Sequence, residues 1–532
     1  MKHKNSLRLL ILTLIGIIMY SCQKDDEINP QAEEQQVQTE GLIKLGEKLE
    51  NPYSVENMQK ALGNLKSSKV SAKSSSGNDI EITTTHLYLR FKPNNEDELN
   101  ILKADSTFVL YDYPLDYEIK ENGYFYKDPE VTGDQPTYQY CAIPVDKKLP
   151  DGLEHELLAN LFIPDEDSDD GTDSKTSSKS YSPDLVDALV DEALRITNNL
   201  DENSTKGKSS LAARRSKWTP AGTIKVWDDV LNTFIGVEGV QVRARRWFTT
   251  HRGFVNADGS YSCDGRFRRD ANYSIDWERY EFALQDGWLN GATYNGPKIR
   301  GNWDLNLKDD KQEYYATIFR AAHHYYYKEI KGLRRPPQNS FWRTQLKIRA
   351  YLENERSNHK EERRFLGSQI HMKAYERSSQ EIYETTIHEL AHASHWNMWR
   401  NQDDFDDTDK IVKESWALGV QQELTRMVYP NRNPTYGRLN YTEIVEDLID
   451  PNKTRTTSYW YDFNTNTWCT SSQRITRTYN DNVSGYNIKQ LEDALRGKLT
   501  WDSWRNNIKT MYNINTATDT NIDNAFTYWN TK

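Results

Sequence analysis

The segment Ser378–Trp396, SSQEIYETTIHELAHASHW, is the most informative stretch of this chain. Ser378 and Glu381 have the spacing of a capping box, in which a hydroxyl and a carboxylate each satisfy a free backbone N–H. A helix is therefore predicted to begin there. His388 and His392 lie well inside it, and residues four apart share one helix face. The segment thus predicts two imidazoles directed at the same point in space.

Two imidazoles on one helix face are typical ligands of zinc. Catalytic zinc sites use three protein ligands and leave a fourth position for water. Glu389 adjoins the first histidine, where its carboxylate can reach such a water and act as general base. The alternative is a helix that uses His388 and His392 for packing or surface polarity.

A third ligand is needed, and His395 is the first candidate. It faces the same side of the helix as His392. Its Cα lies about 10 Å along the axis from that of His388, because a helix rises 1.5 Å per residue. One ion cannot bind all three histidines of a straight helix. We therefore expect His395 to line the cleft or to form a hydrogen bond nearby.

Glu414 is the better candidate for the third ligand. The acidic loop 403–409 suits a reversal of the chain, and Thr408 or Asp409 can cap a second helix. Glu414 falls on a different face of that helix from its apolar residues, so an antiparallel return can bring it beside the histidine pair. The alternative is an ordinary carboxylate on a helix surface.

The sequence HELAH at 388–392, followed by Glu414, resembles the gluzincin zinc peptidases, the thermolysin-like class. The resemblance implies that His388, His392 and Glu414 bind zinc and that Glu389 is the general base. Small Ala417 fits the E-x-x-A pattern of smaller members. The resemblance also implies an α+β catalytic domain with a helical C-terminal part.

Two features depart from that family. Thermolysin-like enzymes often have an aspartate, four residues after the glutamate, that orients a ligand histidine; here Leu418 stands there, so that support must come from elsewhere. The family also uses a later His or Tyr to stabilise the oxyanion, and no histidine follows His395. The open candidates are Tyr436, Tyr441, Tyr459 and Tyr461.

Residues 369–375 precede the histidine helix and alternate like a strand. In gluzincins an edge strand in this position pairs with the extended substrate, and such pairing uses backbone hydrogen bonds that tolerate many sequences. The alternative is an ordinary sheet edge.

The N-terminus resembles a bacterial lipoprotein signal. Residues 1–21 have a basic start, and the apolar run 9–20 is too short for the roughly 20 residues that cross a bilayer. Ser21 before Cys22 resembles a lipoprotein cleavage box, which makes Cys22 the expected lipid anchor. The acidic residues 23–27 resemble a surface-export tether. The alternatives are a plain secretory signal and a solvated linker.

The remainder predicts a multidomain protein. Short strands with turn signals in 218–285, among them one long strand over 237–248, indicate a β-sandwich. Residues 108–119, in the part before it, also have the pattern of a strand. Three motifs in this segment resemble the transthyretin-like, carboxypeptidase regulatory-like domain, which implies a spacer or packing module: Gly222-x-Ile224-x-Val226, Gly239-Val240-x-Val242 and Asp258-Gly259-x-Tyr261. The predicted parts are a signal peptide (1–21), a tether with a helix (22–79), a small α+β domain (80–165), a linker with a helix (166–217), the sandwich (218–285) and the metallopeptidase-like domain (286–532).

The amino-acid composition excludes some classes of protein. A net charge of −11 argues against nucleic-acid binding, which needs excess Lys and Arg. Four cysteines in 532 residues exclude a disulfide-rich scaffold. Beyond Cys22, the cysteines Cys141, Cys263 and Cys469 lie in three different segments with no obvious partner.

The leading hypothesis is a lipid-anchored zinc peptidase that hydrolyses protein or peptide substrates outside the cytoplasm, at the outer membrane or cell surface of a Gram-negative bacterium. The second is a non-enzymatic surface lipoprotein that binds protein or glycan and whose zinc site is structural or vestigial. The third is zymogen control, in which residues 80–165 cover the cleft.

Overall fold

The structure is a computed structural model. It describes residues 42–530 apart from 68–79, 124, 133–134, 165–182, 201–215, 287–290, 340–344, 353–357, 361–368, 400–402, 432–439, 451–453, 460, 463–466, 469–474, 513 and 515–517. The chain divides into residues 1–40 and 41–532, and everything described here belongs to the second unit. The described residues form a mixed α/β chain with several sheets and eleven helices. None of the helices in these ranges is long and apolar enough to span a bilayer.

The N-terminal part is built around a three-stranded antiparallel sheet in the order β4-β2-β5, while β1 pairs with β3. Helices α1 and α3 pack against each other, with Met58 and Leu189 fully buried. The elements are β1 Lys44–Lys48, α1 Val55–Ser67, β2 His86–Phe91, α2 Glu96–Ala104, β3 Tyr117–Glu121, β4 Gln139–Pro144, β5 His155–Leu161 and α3 Pro183–Ile196.

The middle part contains two four-stranded sheets. One has the order β10-β6-β14 with β7 also paired to β6, and the other has the order β13-β11-β8-β9. Tyr273 in the second sheet contacts Tyr261 and Trp303 in the first, with ring centroids 6.5 and 5.3 Å apart, so the sheets share a core. The strands are β6 Ala221–Asp228, β7 Thr233–Gly236, β8 Gln241–Arg246, β9 Thr249–Phe254, β10 Ser260–Ser262, β11 Ala271–Asp276, β13 Thr293–Ile299 and β14 Trp303–Leu307.

Strand β12 (Phe282–Asp286) leaves this pair of sheets and joins a third sheet, in the order β12, β15 (Leu346–Ala350), β17 (Gln369–Met372) and β16 (Asn358–Lys360). The domain boundary that the sequence predicts at residue 285 does not match this arrangement. Strands β13 and β14 follow β12 in the chain, yet they belong to the first two sheets. The reason lies in burial: Phe282 stacks on Tyr326 at 5.4 Å and packs on Phe319 at 5.2 Å. Both partners belong to the helix that lies against the third sheet.

The C-terminal part carries the remaining strands and most of the helices. They are α4 Lys311–Tyr327, β15 Leu346–Ala350, β16 Asn358–Lys360, β17 Gln369–Met372, α5 Ser379–Trp396, α6 Asp403–Asp406, α7 Lys410–Val428, α8 Ile444–Ile449, β18 Thr454–Tyr459, β19 Tyr461–Asp462, β20 Thr467–Trp468, β21 Ile475–Asn480, α9 Ile488–Leu495, α10 Trp501–Met511 and α11 Asp519–Asn530. Helix α5 packs against both α4 and α7.

The expectation that 369–375 forms a sheet edge is wrong. Strand β17 pairs in parallel with β15 on one side and antiparallel with β16 on the other, so it lies inside the sheet. Ile370 and Met372 are fully buried, as suits an interior strand. The edge on this side of the sheet is β16.

Two aspartates at the end of β6 fix the middle part to the C-terminal helices. Asp228 is fully buried and accepts hydrogen bonds from the Tyr429 hydroxyl at 2.7 Å and from Arg320 at 3.2 Å. Asp229 accepts from the backbone N–H of Ser379 at 2.7 Å. A carboxylate at a helix N-terminus also favours the helix dipole. The start of α5 is thereby held by the first sheet.

The N-terminal part docks on strands β8 and β9. The guanidinium groups of Arg243 and Arg245 lie 5.4 and 5.2 Å from the ring centroid of Tyr111, whose hydroxyl is 2.9 Å from that of Thr250. Phe248 packs on Tyr88 at 4.9 Å. This interface combines apolar burial with cation–π contacts.

Candidate metal centre

Helix α5 begins as its sequence predicts. The Ser378 side chain accepts from the Glu381 N–H at 3.3 Å, and the Glu381 carboxylate accepts from the Ser378 N–H at 3.2 Å. Ile387, Leu390 and Ala391 are fully buried and anchor the helix. The capping box therefore fixes where α5 begins, and both ligand candidates, His388 and His392, lie within that helix.

Helix α7 packs against α5 and forms the other side of the candidate site. Its N-cap residue is Asp409, but the Asp409 side chain makes no capping hydrogen bond to α7. It accepts instead from the backbone N–H of Trp501 at 3.1 Å. The apolar residues Val412, Trp416 and Val420 are fully buried, as the sequence pattern predicts.

His388, His392 and Glu414 come together between the two helices. The Nε2 atoms of the two histidines lie 3.2 Å apart, and each lies 3.3 Å from Glu414 Oε2. Ligand atoms about 2.0–2.1 Å from a tetrahedral zinc are separated by roughly 3.3–3.4 Å. The three atoms therefore form a nearly equilateral triangle of the size that one zinc ion requires.

Charge and burial act against each other at this cluster. Burial alone would raise the pKa of Glu414, but the imidazoles of His392 and His388 outweigh it and hold that pKa well below its usual range. Burial likewise opposes a charge on His392, and Glu414, with a smaller effect from Glu389, raises its pKa. Glu414 is thus held as the anion that a metal ligand must be.

Glu389 is 6% exposed and lies next to the cluster in the chain. Its effect on the pKa of His392 places its charge within electrostatic reach of the ligand candidates. A carboxylate in that setting could accept a proton from a water at the open fourth position of a metal held by these three ligands.

His388 has a partner on its other ring nitrogen that the sequence analysis missed. Its Nδ1 lies 3.1 Å from Gln421 Oε1. Gln421 follows Glu414 by two helical turns and so shares its face, which is the signal that could have identified it. Leu418, at the position of the expected aspartate, is buried and apolar.

His395 does not line a cleft. It is 1% exposed, its ring contacts Phe405 and Trp399, and burial lowers its pKa to about 3. Neither ring nitrogen has a hydrogen-bond partner among the described residues. The expectation of a cleft or hydrogen-bonding role is therefore wrong, and a neutral imidazole fills the core here.

Of the four candidate tyrosines, Tyr441 is the one whose side chain falls in the described part. Its ring stacks on that of His388, with centroids 5.8 Å apart and planes 25° apart. Tyr436 and the side chains of Tyr459 and Tyr461 lie outside that part, as do Cys22 and the signal segment. Cys141 and Cys263 are buried and free.

No protein-family model, curated protein or solved structure matches this chain.

Proposed function

We propose that this protein is a zinc-dependent peptidase. The observation that carries the proposal is the triangle formed by His388 Nε2, His392 Nε2 and Glu414 Oε2, whose sides of 3.2–3.3 Å match one tetrahedral ion. The donor set of two imidazoles and one carboxylate is that of a catalytic site with an open fourth position.

The roles of the chain's own residues follow from their positions. Zinc, when bound, supplies a Lewis acid that makes water acidic and polarises a scissile carbonyl. Glu389 accepts the proton of the attacking water and passes it to the leaving amine. Of the four candidate tyrosines, Tyr441 has a ring that stacks on His388, and we assign to its hydroxyl the hydrogen bond to the developing oxyanion.

The metal site is tested by ligand removal. Glu414→Ala should weaken zinc affinity by more than the roughly 10–100-fold that loss of a ligand's outer hydrogen-bond partner costs, because it removes one of the three ligands itself. Glu423→Ala on the same helix is the matched control, since its carboxylate pairs with Lys331 and Arg426 instead. Zinc content and chelator competition are the measurements. Equal affinity of the two variants would reject the assignment.

Hydrolysis is tested separately with a peptide library, with and without a chelator. Cleavage that the chelator abolishes and zinc restores supports the peptidase. One equivalent of zinc with no cleavage of any peptide would favour the alternative, a surface protein that binds protein or glycan. The intact Glu389 speaks against that alternative, because a structural zinc site does not need this carboxylate.

We also propose that Cys22 carries a lipid that anchors the chain outside the cytoplasm, at the outer membrane or cell surface. The support is sequence alone: an apolar run ending at Ser21-Cys22. Cells grown with labelled fatty acid should incorporate label into the wild-type protein and not into Cys22→Ser. Cys141→Ser is the control, and label retained by Cys22→Ser would exclude this anchor.

A further inference from the structure

The outer nitrogen of His388 begins a hydrogen-bonded chain that leads away from the ligand cluster. Gln421 Oε1 lies 3.1 Å from His388 Nδ1, and Gln421 Nε2 donates to Glu384 Oε2 at 3.3 Å. The other oxygen of Glu384 accepts from the Gln380 side chain at 2.9 Å. Glu384 precedes His388 by one helical turn, so α5 and α7 both contribute.

The chemistry of these groups fixes the direction of each hydrogen bond. An ionised carboxylate can only accept, so the NH₂ group of Gln421 must face Glu384. The carbonyl oxygen of the same amide must then face His388. A carbonyl accepts, so Nδ1 of His388 must carry the proton. A proton on Nδ1 leaves Nε2, which faces Glu414 and His392, as the ring nitrogen whose lone pair can bind a metal.

We infer that Gln421, oriented by Glu384, is a positioning residue that holds His388 in the tautomer able to bind a metal through Nε2. The inference rests on the proposed metal site. It assigns to a neutral amide, two turns after Glu414, the support that Leu418 cannot give. Glu384 acts one step further out, since it selects which end of the amide meets the histidine.

The first test compares Gln421→Leu with Gln422→Leu. Gln422 is the neighbouring residue, is 1% exposed, and its amide has no hydrogen-bond partner within the described ranges. Losing the partner of a ligand histidine typically costs 10–100-fold in metal affinity. Gln421→Leu should therefore bind zinc about 10–100-fold more weakly, and Gln422→Leu within about 3-fold of wild type. Circular dichroism confirms that both variants are folded.

The second test reads the tautomer in the metal-free protein. With ¹⁵N-labelled histidine, long-range nitrogen–proton correlations report which ring nitrogen is protonated, and His388→Gln identifies the signal. Wild type should show protonated Nδ1, and Gln421→Leu should show the proton moved toward Nε2, where Glu414 remains as an acceptor. This readout decides the inference even if the wild type binds no zinc, an outcome that would reject the proposed function alone.

A charge exchange supplies the rescue. Gln421→Glu alone sets a second carboxylate beside Glu384 and should weaken zinc binding, since like charges repel. The double variant Gln421→Glu with Glu384→Gln restores one acceptor toward His388 and one donor toward residue 421. It should recover affinity to within about 3-fold of wild type. Wild-type affinity and an unchanged tautomer in Gln421→Leu, or failure of the double variant to recover, would overturn the inference.

Discussion

Replacing Glu389 by glutamine is expected to lower kcat by roughly 10²–10⁴ while zinc content stays at the wild-type level. Glutamine keeps the size and the buried position of the side chain, which is 6% exposed in the wild type. Its amide oxygen cannot take a proton from water at neutral pH. The ligand triangle is untouched, because Glu389 is not one of its members.

The measurement is kcat and KM on a peptide identified in the library digest, with zinc determined on the same preparation. Glu423→Gln is the control, because it makes the same chemical change at another buried glutamate, on α7. A Glu389→Gln protein that is zinc-loaded and fully active would rule out Glu389 as the general base. Loss of both zinc and activity would instead show that Glu389 supports the ligands.

Deleting residues 23–217 is expected to destabilise the rest of the protein rather than to activate it. The deletion uncovers Trp247 and Phe248, which pack with the N-terminal core, and strips Arg243 and Arg245 of Tyr111. Both rings are half-buried, so exposing them costs on the order of 1–3 kcal/mol in total, about half of what full burial would contribute. That loss corresponds to a fall of roughly 5 °C in the midpoint of thermal unfolding.

The same deletion distinguishes two roles of the N-terminal part: covering the active-site cleft, as zymogen control requires, or stabilising the rest of the protein. Helix α3 adds ion pairs from Asp187 to Arg268 and from Asp191 to Arg269, and both are lost with it. Deleting residues 23–40 alone is the control, because that deletion keeps every contact named above, all of which lie in the unit 41–532. A 23–217 deletion of unchanged midpoint and higher activity per zinc would establish zymogen control instead.

The parts of the site that obey local rules could be predicted from sequence. The capping box at Ser378 and the four-residue spacing of His388 and His392 define a helix and a shared face without tertiary information. Glu414 needed one further step, the antiparallel return of a second amphipathic helix. The role of Gln421 could not be predicted in the same way, because the orientation of its side-chain amide depends on Glu384, a residue on the other helix.

Two strand predictions are wrong because an apolar segment can be buried without pairing as a strand. The pattern of residues 108–119 predicts a strand, but only Tyr117–Glu121 forms one. Tyr111 and Tyr113 are instead buried against arginines of β8. The sequence likewise predicts one long strand over 237–248.

Gly239 breaks that long strand. Its φ is +86°, in the left-handed region that favours glycine, and a side chain there would collide with the ring of His323. Strand β7 therefore ends at Gly236 and β8 begins at Gln241. The Gly-Val pair that resembles a strand interior is in fact a turn packed on helix α4.

The parallel pairing of β6 with β14 has a consequence for synthesis of the chain. Gly222 and Trp303 are partners although the loop between them spans about 80 residues, so closing it is slow compared with forming a hairpin. Until Leu307 leaves the ribosome, one side of β6 is an open edge able to capture strands of neighbouring nascent chains. Refolding yield should therefore fall steeply with protein concentration, and ribosome-bound chains that stop before residue 303 should aggregate most readily.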